Sequence, residues 1–148
     1  MSIAALITWL ITALGGFYLL GSWISRGGVA QQRNGTSRLR APLIFGHFLL
    51  AASGLVVWII YLVASTAALA WTAFIILLPV ALLGFTMFFR WIGVYRSRPA
   101  AVSSGPGTMA NTASTVPAER SFPVPIVLLH GALAATTLVL VLLAAIAA

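Results

Sequence analysis

Four uninterrupted apolar runs, at residues 3–24, 42–64, 69–94 and 123–146, dominate the chain. A helix needs about 20 apolar residues to cross the hydrocarbon of a bilayer. Within that hydrocarbon its backbone groups must bond to one another, which a helix achieves by itself. Each run is therefore predicted to be a transmembrane helix. The fold class is all-α integral membrane, with four helices in an antiparallel bundle. Composition agrees, since 61% of residues are hydrophobic and 6% are charged, whereas a soluble domain carries about a quarter charged residues.

The loops set the expected orientation. Arg26, Arg33, Arg38 and Arg40 lie between the first two runs, and Arg96, Arg98 and Arg120 lie between the last two. By the positive-inside rule both loops are cytoplasmic, leaving the N-terminus, the C-terminus and the short 65–68 turn outside. The first run lacks a basic flank and a cleavage site, so it reads as a retained helix. Segment 96–121 is rich in Ser, Thr, Gly, Pro and Ala and is predicted to be a flexible loop. It holds the chain's single acidic residue, Glu119, which is expected to be exposed. Trp23 and Trp91 are expected at the inner interface, and Tyr61 and Trp71 at the outer one. Basic residues confined to arginine, in an alanine-rich chain, suit a bacterial plasma-membrane protein. Their placement beside the spans points to membrane topology and not to nucleic acid.

The runs also match each other in pairs. Residues 42–53, PLIFGHFLLAAS, align without a gap on residues 125–136, PIVLLHGALAAT. Pro42 meets Pro125 and His47 meets His130. Residues 13–24, ALGGFYLLGSWI, align on residues 81–92, ALLGFTMFFRWI, and share a Gly-Phe-x5-Trp-Ile pattern. The chain reads as a tandem repeat of two helical hairpins, 1–64 and 65–148. Parallel repeats of this kind are related by an axis along the membrane normal, so the two histidines are one position used twice.

Each histidine stands five residues after its proline, about 7–8 Å along a helix, which places it just inside the cytoplasmic edge. Ionisable groups in a span are costly and face the bundle interior or a pathway. Two imidazoles suit the axial positions of a haem iron, whose macrocycle supplies the other four nitrogens. A bare zinc site needs about three or four protein ligands. With no cysteine in the chain, thiolate sites and disulfides are excluded. The helical face runs from His47 through Ala51 and Gly54 to Trp58, and from His130 through Ala134 and Thr137 to Val141. Gly54 and Thr137 would leave room for a flat macrocycle. Arg40, Arg90 and Arg120 are placed to pair with its propionates. Arg90 stands out because its repeat partner is Ser22; snorkelling at a helix end is its simpler role.

Four helices, inward histidines and the His-x-x-Leu-Ala openings, at His47–Ala51 and His130–Ala134, resemble small b-type cytochromes and the haem-bearing anchor subunits of quinone-linked dehydrogenases. The resemblance implies haem b held by His47 and His130, with Arg90, Gly54 and Thr137 around it. It further implies electron transfer with a quinone or a partner redox subunit. Ligands near one face imply one haem, where four-histidine relatives carry two. Two other classes compete. One is a cofactor-free accessory subunit of a larger membrane complex or homo-oligomer, its histidines used in packing. The other is a small transporter or channel, disfavoured by the absence of acid within the spans. Hydrolytic chemistry lacks an acid–base pair or nucleophile triad.

Overall fold

A computed structural model describes residues 1–97 and 116–148 of the 148-residue chain. All regular structure among these residues is helical. The long helices are α1 (Ser2–Ser25), α3 (Ala41–Ala64), α4 (Ala67–Arg96) and α5 (Val124–Ile146), each long and apolar enough to cross a membrane. Their ends fall within about two residues of the apolar runs, because the same residues that break hydropathy also break the helices. Pro42 and Pro125 stand in the first turns of α3 and α5, where a missing N–H costs nothing. Between α3 and α4 only Ser65 and Thr66 are non-helical, and Ser65 takes the left-handed conformation (φ 50°) that closes the end of α3.

Two elements have no counterpart among the predicted runs. A short helix, α2 (Gly28–Arg33), follows α1, and a 3₁₀ helix (Ala118–Ser121) precedes α5. The second corrects the expectation of a flexible, solvated 96–121 loop at its C-terminal end. Residues 116–121 are ordered and Glu119 is fully buried. Residues 98–115 of that loop lie outside the described residues.

The most extensive helix contacts are α3 against α4 and α1 against α5; α4 also meets α5, and α1 touches α3 over a shorter stretch. On α4 the buried residues Ala70, Ala73, Leu77 and Val80 recur three and four apart, and Trp91 and Val94 resume the same stripe three turns on. That spacing keeps one stripe facing the neighbours when helices cross at a small angle.

The buried residues form two clusters along the bundle. One, remote from the arginine-bearing loops, centres on Ala5, Trp9, Trp58, Leu77, Val80 and Val141. The other, at the arginine-bearing end, centres on Trp23, Leu39, Trp91, Ala118 and Phe122. Trp23 and Trp91 are thus core residues, 0% and 4% exposed, and not the interfacial anchors expected from the sequence. Gly16, His47, Gly84 and His130 belong to neither cluster and fall between them on all four helices.

Candidate functional site

The layer between the two clusters is built from one contact made twice. His130 on α5 reaches α1, where its Nδ1 lies 2.9 Å from the Thr12 carbonyl oxygen. His47 on α3 reaches α4, where its Nδ1 lies 3.0 Å from the Val80 carbonyl oxygen. A carbonyl only accepts, so each Nδ1 carries the proton and donates it. In the neutral ring the lone pair then sits on Nε2. Neither Nε2 has a hydrogen-bond partner among the described residues.

The glycines explain how an imidazole reaches a carbonyl already engaged in a helix. In an α-helix each side chain leans back over the preceding turn, so the residue four positions on shields the carbonyl. Four residues after Thr12 stands Gly16, and four after Val80 stands Gly84. A Cβ at Gly16 would lie 3.1 Å from His130 Cε1, and one at Gly84 would lie 3.3 Å from His47 Cε1. Each imidazole therefore occupies the space a side chain would have taken. Thr12 and Val80 are 68 residues apart, as are Gly16 and Gly84; His47 and His130 are 83 apart. These are the offsets at which the apolar runs align. The carbonyl acceptors were missed by sequence reasoning, since any residue type supplies one. The Gly-Phe motif was their only trace.

The two rings face each other with centres 6.3 Å apart and planes inclined by 57°. Metal–imidazole bonds of about 2.0–2.1 Å set the centres of two rings sharing one ion from opposite sides about 6 Å apart. The separation of the ring centres is close to that spacing. A backbone carbonyl on the second ring nitrogen is also the usual support of a ligating histidine, fixing its tautomer and orientation. Among the described residues no group of three or more His, Cys, Asp and Glu side chains gathers. The donor set is therefore two neutral nitrogens, which fits an ion whose other ligands come with it.

The remaining expected residues lie apart from this pair. Gly54 is buried beneath the Trp9 ring, 3.1 Å from where its Cβ would be. Thr137 is buried and its Oγ1 is 3.0 Å from Thr8 Oγ1, with a further bond to the Leu133 carbonyl at 2.8 Å. Protein therefore fills the space that small residues were expected to leave there. Arg90 donates from Nη1 to the Arg38 carbonyl at 3.0 Å, and Arg120 donates to the Ser97 carbonyl at 3.0 Å. Both contacts lie at the loops, away from the imidazoles.

Below the histidines the arginine-bearing end is closed by a network centred on Glu119. Its carboxylate accepts from the Ser37 hydroxyl at 3.0 Å, the Arg38 N–H at 2.6 Å and the Leu39 N–H at 3.3 Å. Gln31 bridges α2 to Val116 and Ala118, and Gln32 bonds the Leu39 carbonyl and the Ala41 N–H. Leu39 and Phe122 are thereby pressed onto Trp23 and Trp91.

No protein-family profile, no curated protein and no solved structure matches this chain.

Proposed function

We propose that the chain is a membrane electron-transfer subunit in which His47 and His130 hold the iron of one haem b. The carrying observation is the facing imidazole pair, 6.3 Å between ring centres, with each Nδ1 pinned to a backbone carbonyl of a neighbouring helix. When bound, the haem would supply reversible one-electron chemistry, its potential tuned by ligand and burial. The protein's part is to hold and orient. The Thr12 and Val80 carbonyls keep the proton on Nδ1 and the lone pair on Nε2, Gly16 and Gly84 let the rings approach, and the Trp23–Trp91 cluster excludes water from the arginine-bearing side. That side is read as cytoplasmic, and exchange with a quinone or a redox partner would occur there. The repeated offsets at the imidazole contacts support a tandem pair of hairpins, with consecutive helices antiparallel and both termini outside a bacterial plasma membrane.

A second reading has its own observation. Trp9 over Gly54 and the Thr137–Thr8 bond fill the bundle beside the histidines, as in a cofactor-free accessory subunit whose imidazoles serve packing. Interhelical hydrogen bonds in membranes are worth about 0.6 kcal/mol on average, enough to retain a pair of them.

Dithionite-reduced minus oxidised visible spectra separate the two. The protein is expressed with haem available, purified in mild detergent, and compared with His47→Ala and His130→Ala. A low-spin b-type signal lost in each variant is the expected result. A colourless wild-type protein, folded and recovered in full, sinks the haem reading and leaves the accessory one.

A further inference from the structure

We propose that the concavity lined by Arg38, Arg40 and Arg90 is a binding site for a phosphate group, presented by an anionic lipid headgroup or by a soluble phosphate ester. The cavity has a volume of about 420 Å³, and Gln32, Gly35, Ser37 and Pro42 complete its wall. It opens at the arginine-bearing end beside the first turn of α3, the positive end of a 24-residue helix, where anions are favoured. Guanidinium groups match phosphate oxygens with paired N–H donors in a fixed plane.

Three features separate this group of arginines from an ordinary solvated fringe. First, the chain has a single acid, and its carboxylate is committed to Ser37, Arg38 N–H and Leu39 N–H. The arginine charges are left without a carboxylate inside the protein. Second, the wall is stiff before any ligand arrives. Glu119 and Gln32 hold the backbone of 37–41, and the Arg38 carbonyl holds Arg90 by one Nη1 bond, the only one its side chain makes among the described residues. Preorganised donors bind with less ordering cost. Third, these three arginines have no counterparts at the repeat positions, although Arg26, Arg33 and Arg120 also bring charge to this end. At the offsets that relate the two helix pairs, Arg90, Arg38 and Arg40 correspond to Ser22, Ser121 and Pro123. Positive charge serving only to orient the helices would work equally well on either side of the bundle.

The test uses the full chain in detergent. Native mass spectrometry counts phosphatidylglycerol retained against phosphatidylcholine, and thermal unfolding is followed with and without millimolar inorganic phosphate. Readout is by mass and melting, so the result is independent of haem. Arg40→Gln removes a charge whose side chain makes no hydrogen bond among the described residues, and it should fold normally. Arg33→Gln, outside the concavity, is the control. Hydrogen bonds to charged groups are worth about 1.5–3 kcal/mol, so Arg40→Gln and Arg90→Gln should each weaken retention by about tenfold or more while Arg33→Gln changes little. Retained phosphatidylglycerol with no response to inorganic phosphate assigns a lipid; stabilisation by phosphate without lipid retention assigns a soluble ester. No preference for phosphatidylglycerol together with no response to phosphate, or an equal loss in Arg33→Gln, overturns the site.

Discussion

The α1/α5 and α3/α4 pairs make the same contacts with different surroundings. In both, a histidine donates to a helix carbonyl over a glycine, and in both a buried tryptophan lies toward the arginine-bearing end. Around this shared frame the two pairs diverge. Beside Gly54 the bundle is filled by Trp9, while the corresponding Thr137 meets Thr8. Trp23 donates its indole N–H to Ser37 Oγ at 3.3 Å, whereas the buried Trp91 N–H has no partner among the described residues. The difference teaches what each part is for. Core volume can be shared out unequally between the pairs, provided the total is conserved; the imidazole contact tolerates no such exchange, because its geometry depends on a missing side chain and a fixed carbonyl.

The sharpest break in the comparison is Glu119, whose carboxylate, carried just before α5, holds the backbone that leads into α3. The corresponding position 83 residues earlier is Thr36, which makes no such clamp. Glu119→Ala would strand the Arg38 and Leu39 N–H groups and leave the Ser37 hydroxyl only the Leu39 carbonyl, 3.1 Å away. Breaking a buried charged network typically costs about 3–5 kcal/mol. The expected outcome is release of the 34–40 loop, read as fast tryptic cleavage after Arg38 and Arg40 together with lowered unfolding resistance in SDS titration. Glu119→Gln, which keeps one accepting oxygen, should fall between. Unchanged cleavage in Glu119→Ala would mean that the glutamines alone hold the loop.

Much of the architecture was legible because membrane spans announce themselves by length alone. The inward face was not legible from hydropathy, since these helices are apolar all round; it was readable only through the histidines and the small residues in register with them. On that register Gly54, Trp58, Thr137 and Val141 are buried, while Ala51 is half-buried and Ala134 is exposed. What lies over them, Trp9 and Thr8, comes from a different helix and left no local trace. The closing network was illegible for the same reason. Gln31, Gln32 and Glu119 act over 80 or more residues or through backbone groups, and a polar loop with one acid looks the same whether solvated or folded. Burial of Trp23 and Trp91 followed from that network, which covers a ring the sequence alone would leave at the interface.

Substituting the two glycines tests whether the halves are equivalent where they look it. Gly16→Val and Gly84→Val each place a branched side chain in the imidazole's space, and overpacking of this kind costs roughly 1–3 kcal/mol. The Nδ1–H of the facing histidine should lose its protection from solvent exchange, as read by nitrogen-15 spectra of labelled histidine. Gly16→Val should perturb His130 and spare His47; Gly84→Val should do the reverse. The Gly16 contact is the closer by 0.2 Å, 3.1 against 3.3 Å, so its variant should be the less stable. That separation of the His130 and His47 responses is expected of the haem-free protein; with one haem shared between the rings, either variant should lose both signals.

The smallest expected effect is also the cleanest measure of asymmetry. Trp23→Phe and Trp91→Phe remove the same atoms from one buried cluster, so their packing losses should nearly cancel in the difference. The indole N–H does not cancel. Trp23 gives up a bond to Ser37 Oγ, which itself supports Glu119, while Trp91 gives up a buried donor that had no partner among the described residues. A net hydrogen bond is worth about 1 kcal/mol, and an unpaired buried donor carries a penalty of about 1–3 kcal/mol that its removal relieves. Trp23→Phe should therefore unfold more readily than Trp91→Phe by about 2 kcal/mol, the low end of that sum, in SDS titration. Equal losses would place a water or lipid oxygen on the Trp91 N–H and restore the symmetry of the two halves at this level of the bundle. A greater loss in Trp91→Phe would mean that its stacking on Tyr95, with ring centres 5.4 Å apart, outweighs the missing bond, and that aromatic packing, not polar closure, anchors this end of the bundle.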